Sequence, residues 1–185
     1  YPERLDNPIH RLARLIEALI GMPIDQGSTH FQPSSLQFTT VDVGNPATNI
    51  APGVVKARFN VRFNDLWTSR TLLSHLRERL EKAHAQAGGN GLYEIEAQVS
   101  GESFYTPPGE LSDLIAGAVR EVTGIDPELS TTGGTSDARF IRATCPVVEF
   151  GLVGETMHKV DEKSAVADLQ ALVRVYQLML ERYFA

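Results

Sequence analysis

The chain has 185 residues, 42% hydrophobic and 22% charged, with 17 Lys and Arg against 23 Asp and Glu for a net charge of -6. Ordinary globular composition excludes a fibrous or disordered protein, and the acidic balance argues against a nucleic-acid binder, which needs a concentrated basic face. One cysteine, Cys145, excludes an internal disulfide and a cysteine-based zinc cage, and it reads as a small core residue. Nothing approaches 18 consecutive apolar residues, so no membrane span is expected, and the opening Tyr1–Pro–Glu–Arg is not a secretory leader. The missing initiator methionine suggests a processed chain or part of a longer polypeptide.

Taken in order, Asn7 caps a first helix and Pro8 occupies its first position, with Leu12, Leu15, Ile16 and Leu19 at helical spacing before Gly21 and Pro23. Ser35 to Val43 reads as a strand carrying Leu36, Phe38 and Val41. The clearest alternation is Val54 to Phe63: Val55, Ala57, Phe59, Val61 and Phe63 face one way, Lys56, Arg58, Asn60 and Arg62 the other. Thr68 to Ala87 is a second amphipathic helix closed by Gly88–Gly89, and Leu92 to Val99 alternates as a further strand. Adding one strand before Tyr1 would give β-α-β-β-α-β, the ferredoxin-like order.

After Pro107–Pro108 the pattern changes. Leu111 to Thr123 is helical, Leu129 to Thr132 reads as a short strand, and Ser136 to Arg142 as a short helix. The run Val147 to Phe150 is apolar except for Glu149, as in a strand covered on both faces, and Val166 to Tyr183 is a long closing helix. These strands are too few for a sheet of their own, so this half is expected to complete a sheet whose other strands lie elsewhere. The expected class is α+β, with one domain over residues 1–103 and an incomplete α/β segment over 104–185.

His158 is the leading candidate for chemistry. It follows the apolar run in a short polar loop, with Asp161 and Glu162 three and four positions on. A lone loop histidine is often merely exposed, but loops after buried strands carry function. A catalytic zinc needs about three protein ligands, and His10, His75 and His84 fall on helix surfaces while His30 is in a polar loop, so any metal site here is incomplete or completed from elsewhere. The turn Thr132–Gly–Gly–Thr–Ser–Asp137 admits two readings. Its backbone N–H groups can hold an anion, with Arg139 favouring a carboxylate, or Ser136 or Asp137 can simply cap a helix. Asn49 reads as a turn former, Arg62 as a solvated charge unless a partner covers it, and Ser100–Gly101 as a strand exit.

In combination the motifs Thr132–Gly–Gly–Thr–Ser–Asp–Ala–Arg–Phe140, Val147–Val–Glu–Phe–Gly151, Thr156–Met–His–Lys–Val–Asp–Glu162, Asn49–Ile–Ala–Pro52 and Arg58–Phe–Asn–Val–Arg62 resemble the desuccinylase branch of the M20 metallopeptidase family over essentially the whole chain. The resemblance implies hydrolysis of N-succinyl-LL-2,6-diaminopimelate to succinate and diaminopimelate in lysine and cell-wall biosynthesis. Acetylornithine deacetylase and carboxypeptidase relatives are the alternatives, as is a non-catalytic dimerisation module. It implies a cytoplasmic homodimer that pairs through a ferredoxin-like lid, and a catalytic domain holding two zinc ions per intact subunit, with cobalt possible. The lid is expected over residues 1–103 and the last catalytic segment over 104–185, with neither nucleic acid nor membrane as a partner. His158 then corresponds to a ligand of the second zinc. Asn49, Arg62, Gly134 and Thr135 correspond to substrate contacts, and Ser100 and Tyr1 to peripheral pocket positions. Gly154 stands where several relatives carry an asparagine. The general base, the other zinc ligands and an oxyanion-stabilising histidine would belong to a portion preceding Tyr1, leaving this chain alone inactive.

Overall fold

The computed structural model describes residues 5–133 and 136–185. The described residues form five helices and a single two-stranded sheet, and the chain divides into two compact units, Tyr1–Phe104 and Tyr105–Ala185. Each unit is taken by itself below.

In the first unit, helix α1 (Pro8–Ile20) starts as its sequence predicts. The Asn7 side chain accepts from Ile9 N at 3.0 Å, and Pro8 takes a position whose N–H would have no partner. Arg79 satisfies carbonyls at the other end of α1, donating to Ala18 O at 3.0 Å and Met22 O at 2.8 Å. Strands β1 (Ser35–Asp42) and β2 (Lys56–Arg62) pair antiparallel, with Leu36 opposite Val61 and Phe38 opposite Phe59. A bulge between Phe38 and Thr40 moves the register by one residue, so that Val41 rather than Thr40 falls on the apolar face, opposite Ala57. Helix α2 (Ser69–Gln86) begins with reciprocal capping by Thr68 and Thr71, and just past its cap Ala87 the chain turns away through Gly88 and Gly89, whose positive φ suits residues without Cβ. It buries Leu72, Leu76 and Leu80 along one stripe. With Leu19 these leucines form the core, covered by Leu36, Phe38, Phe59, Val61 and Trp67. Removal of apolar surface from water is the main stabilising term, roughly 1.5–3 kcal/mol per fully buried leucine.

Leu92 to Val99 departs from expectation. Tyr93 and Ile95 pack against the core, as the alternation predicts, but Ala97 and Val99, expected on the same face, are exposed, and the segment forms no ladder with β1 or β2. Side-chain burial is satisfied there without backbone pairing. The ferredoxin-like order expected from the sequence is thus not seen among the described residues, whose one sheet has two strands.

In the second unit, α3 (Glu110–Thr123) packs against α5 (Val166–Tyr183), and a one-turn α4 (Ala138–Ile141) lies between them in sequence. The core is Ile115, Ala118, Val119 and Val175, with Val148, Phe150, Leu178 and Met179 against it. Gly124 closes α3 in the left-handed region at φ +72°. Neither Leu129 to Thr132 nor Val147 to Phe150 is a strand. In the second of these Val148 and Phe150 pack on the core, and among the described residues no strand pairs with its backbone. Cys145 is exposed, not a core residue. It sits in the turn after α4, where its N–H bonds Ile141 O at 3.3 Å.

The polar centre of the first unit is Asp25. Its carboxylate accepts from Gly27 N at 2.8 Å, Ser34 N at 3.1 Å, Asn64 Nδ2 at 2.7 Å and Trp67 Nε1 at 2.8 Å. Burial alone would raise this carboxyl. The bonds donated by Ser34, Gly27 and Trp67 outweigh burial and hold it well below its ordinary 3.8. A carboxyl depressed in the folded state binds fewer protons than when unfolded, so its contribution is complete above pH 3.8 and is lost as pH falls toward the depressed folded value. Asp25→Ala is expected to cost at least about 3 kcal/mol, since bonds to a charged group contribute roughly 1.5–3 kcal/mol each. Asp25→Asn should flatten the acid limb. Urea unfolding at about pH 6 and about pH 3 measures both, and equal acid sensitivity of parent and D25N would remove Asp25 as its source.

Candidate functional site

His158 lies in the loop between the apolar segment 147–150 and α5. Backbone turns run from Met157 N to Gly154 O at 3.1 Å and from Lys159 N to Thr156 O at 3.0 Å. His158 has φ +63° and Asp161 φ +61°, the only non-glycine residues in the left-handed region among those described. Such a conformation costs about 1–2 kcal/mol for a residue with a Cβ. Its imidazole is exposed, and no hydrogen bond to it occurs among the described residues. Gly154 suits its neighbour: a Cβ there would lie 3.2 Å from Met157 Cε, so a larger residue would have to push that side chain aside.

The glycine turn is described in part. Gly134 and Thr135 lie outside the described residues, as does Tyr1. Of the two capping candidates Ser136 serves, accepting from Ala138 N at 3.0 Å, whereas Asp137 makes no side-chain cap bond. Arg139 follows with its guanidinium 4.6 Å from the Phe140 ring centroid, and its Nε and Nη1 are buried with no partner among the described residues. Two desolvated, unpaired donors on a permanent cation make a place for a carboxylate.

In the first unit, Arg62 is exposed at the end of β2 and Asn49 is exposed in the loop joining the strands. That loop is braced by Asn45, which donates to Ile50 O at 2.7 Å and accepts from Ala47 N at 3.3 Å. At about 3.4 Å per residue, the six steps from Lys56 to Arg62 put Arg62 about 20 Å from the loop's start. Asn49 thus belongs to the connection at one end of the strand pair, whereas Arg62 closes β2 at the other. Ser100, also exposed, falls near Arg62's end, because Glu102 two residues on accepts from Ser69 N at 2.9 Å and from the Ser69 hydroxyl at the start of α2. A carboxylate there also complements the helix dipole. Sequence reading passed over Glu102, Asp25 and Thr156. Only Asp25 left a local trace, the Asp–x–Gly spacing of a side-chain-braced turn.

Catalytic zinc takes three protein ligands and an open position. Among the described residues no group of three His, Cys, Asp or Glu could hold a metal. His10 and His30 are exposed, while the rings of His75 and His84 pack on Trp67 and Tyr93 at 5.0 and 5.2 Å. An accessible imidazole without a competing partner fits one ligand position, not a whole metal site.

Residues 11–182 match the family described as Peptidase family M20/M25/M40. The chain belongs to this family. Among curated proteins, it is 55% identical over 185 residues to a succinyl-diaminopimelate desuccinylase of Rhodospirillum centenum, covering all of this chain and 46% of the relative. The protein of that name from Methylorubrum populi is 55% identical, with all of this chain and 47% of the relative covered, and that from Paracoccus denitrificans 52%, with 100% and 48%. This M20 chain spans about half the length of the curated relatives it matches. None of its described helices is long and apolar enough to cross a membrane.

The left-handed backbone at His158 can be tested directly. His158→Gly should be more stable than His158→Ala by about 1 kcal/mol, because only glycine adopts this conformation without a steric cost. Chemical unfolding of the two variants checks it. Equal stabilities would mean that the loop is right-handed at residue 158.

Proposed function

We propose that the chain is the lid and last catalytic segment of a zinc-dependent hydrolase that splits N-succinyl-LL-2,6-diaminopimelate into succinate and LL-2,6-diaminopimelate, within cytoplasmic lysine and diaminopimelate biosynthesis. The observation that carries this reading is identity of 50–55% along the entire chain to proteins bearing the desuccinylase name. Residues 1–103 are assigned to the lid and 104–185 to the catalytic domain.

The second unit supports the assignment. Helix α5 has two apolar faces. Val175, Leu178 and Met179 meet α3, while Val166, Leu169, Val173, Tyr176, Leu180 and Tyr183, spaced alternately three and four apart, remain 42–68% exposed. A helix apolar on both sides belongs inside a larger domain. The relatives carry about as much chain again outside the match, enough to cover that stripe and to pair with segment 147–150.

Each residue has one task in this reading. Arg62 and Ser100 contact substrate from one end of the hairpin, and Arg62 binds a carboxylate as a charged donor. Asn49, at the other end, reaches the site of the second protomer, since one hairpin does not bring both residues to one ligand. The backbone of Gly134 and the Thr135 hydroxyl hold a further oxygen of the substrate, and Tyr1 lines the pocket edge. His158 would hold zinc at one position, and the ions when bound supply an activated water for the amide carbonyl. The remaining ligands and the general base are assigned to the half of the relatives outside the match.

Two measurements test this. The 185-residue chain should release no succinate, whereas the same chain extended to the relatives' length should do so and stop when zinc is chelated; turnover by the short chain would overturn the division of labour. In the extended enzyme Arg62→Ala should lower kcat/KM by about ten- to a hundred-fold, the loss of one charge-assisted hydrogen bond. An unchanged kcat/KM would return Arg62 to a solvated strand residue.

A further inference from the structure

The loop that presents His158 is closed by one hydroxyl. Thr156 Oγ1 donates to Lys163 O at 2.7 Å and accepts from Lys163 N at 3.0 Å, joining the start of the loop to its end. The other recorded bonds here are local: Met157 to Gly154, Lys159 N to Thr156, and the Lys159 ammonium to Glu155 O at 2.8 Å. Among the described residues Thr156 is thus the one side chain spanning both arms. The arms bracket His158 and Asp161, the two side-chain-bearing residues with left-handed backbone. Left-handed residues with a Cβ persist only when their surroundings over-determine them. Left to local preference, residue 158 would return to negative φ, and a change of more than about 100° in φ re-aims the Cα–Cβ bond and the imidazole with it.

We propose that Thr156 is a positioning residue for His158. Its hydroxyl, used once as donor and once as acceptor, fixes the loop in the turn that aims the imidazole at its metal. This rests on the reading of His158 as a zinc ligand and adds a requirement to it: the ligand's direction is set by a side chain that touches neither metal nor substrate.

The test uses the chain extended to its relatives' length, with zinc alone as the probe, titrated against a competing chelator. Thr156→Val keeps the shape and removes both bonds, while Thr156→Ser keeps them. Zinc should bind T156V about 10- to 100-fold more weakly, the usual cost of losing a group that orients a ligand, and bind T156S as it binds the parent. On an H158A background T156V should change zinc affinity no further, an outcome that general destabilisation would not give. If T156V does not fold, Thr156→Ala against T156S makes the same comparison. Unchanged zinc affinity in T156V, with H158A losing a zinc, would overturn the positioning role and leave the ligand reading standing. An H158A protein that keeps both zinc ions would remove the ligand reading and the positioning role together.

Discussion

The first unit is organised around one carboxylate. Asp25 lies after α1, and its four donors come from the turn that follows it, the residue before β1, the residue two beyond β2, and the indole just before α2. Two stretches of chain, residues 25–34 and 64–67, are thereby held at a point. Asn64 is itself buried, receives Ser34 Oγ at its N–H at 3.2 Å, and donates to Gln32 O at 3.1 Å. Each polar group sealed here has a partner, which makes burial of a charge tolerable. The consequence for function is positional. Arg62 is two residues before Asn64, and α2, whose first turn is held by Glu102, begins five residues after it. The end of the hairpin that carries Arg62 and Ser100 is the end the carboxylate fixes.

The second unit has no comparable centre, and the difference is instructive. Its core is two helices with an apolar segment laid along them, held by the Tyr176 hydroxyl bonding Phe150 O at 2.8 Å. Tyr176 belongs to the uncovered stripe of α5 and also fixes the segment that precedes the His158 loop. Helices bond internally whereas strands need a neighbour, and among the described residues of this unit α3 and α5 are present while 147–150 joins no sheet.

This asymmetry also explains what could be read from the residues alone. Helix ends were legible because their determinants are local: Asn7 with Pro8, Thr68 with its reciprocal partner, Gly88–Gly89. The alternation of Val54 to Phe63 and that of Tyr93 and Ile95 reported burial correctly, but alternation tells which side faces the core and not which strand lies alongside. Hence β2 has its ladder and Leu92 to Val99 has none. The odd spacing of Leu36, Phe38 and Val41 follows the bulge, which brings Val41 opposite Ala57 although it stays exposed. At the site, His158 stood out by its place in the chain. The left-handed backbone that presents it, the threonine that spans its loop and the unpaired guanidinium of Arg139 are three-dimensional facts with no one-dimensional signature.

Asn49, Arg62, Ser100 and His158 are all exposed, and a finished active site would bury such groups against substrate or metal. Exposure alone would make them ordinary surface residues. Each nevertheless sits on braced backbone. The loop of Asn49 is braced by Asn45, the strand end of Arg62 is anchored through Asn64 to Asp25, the segment of Ser100 is tied down by Glu102, and the loop of His158 is clamped by Thr156. Solvated side chains need no such support, because water accepts them in any orientation. Rigid backbone beneath a free polar group holds it ready for a ligand, since the ordering entropy is met in folding and not again at binding. In each unit the supports are local, so the backbone beneath these side chains is fixed without any further surface over them.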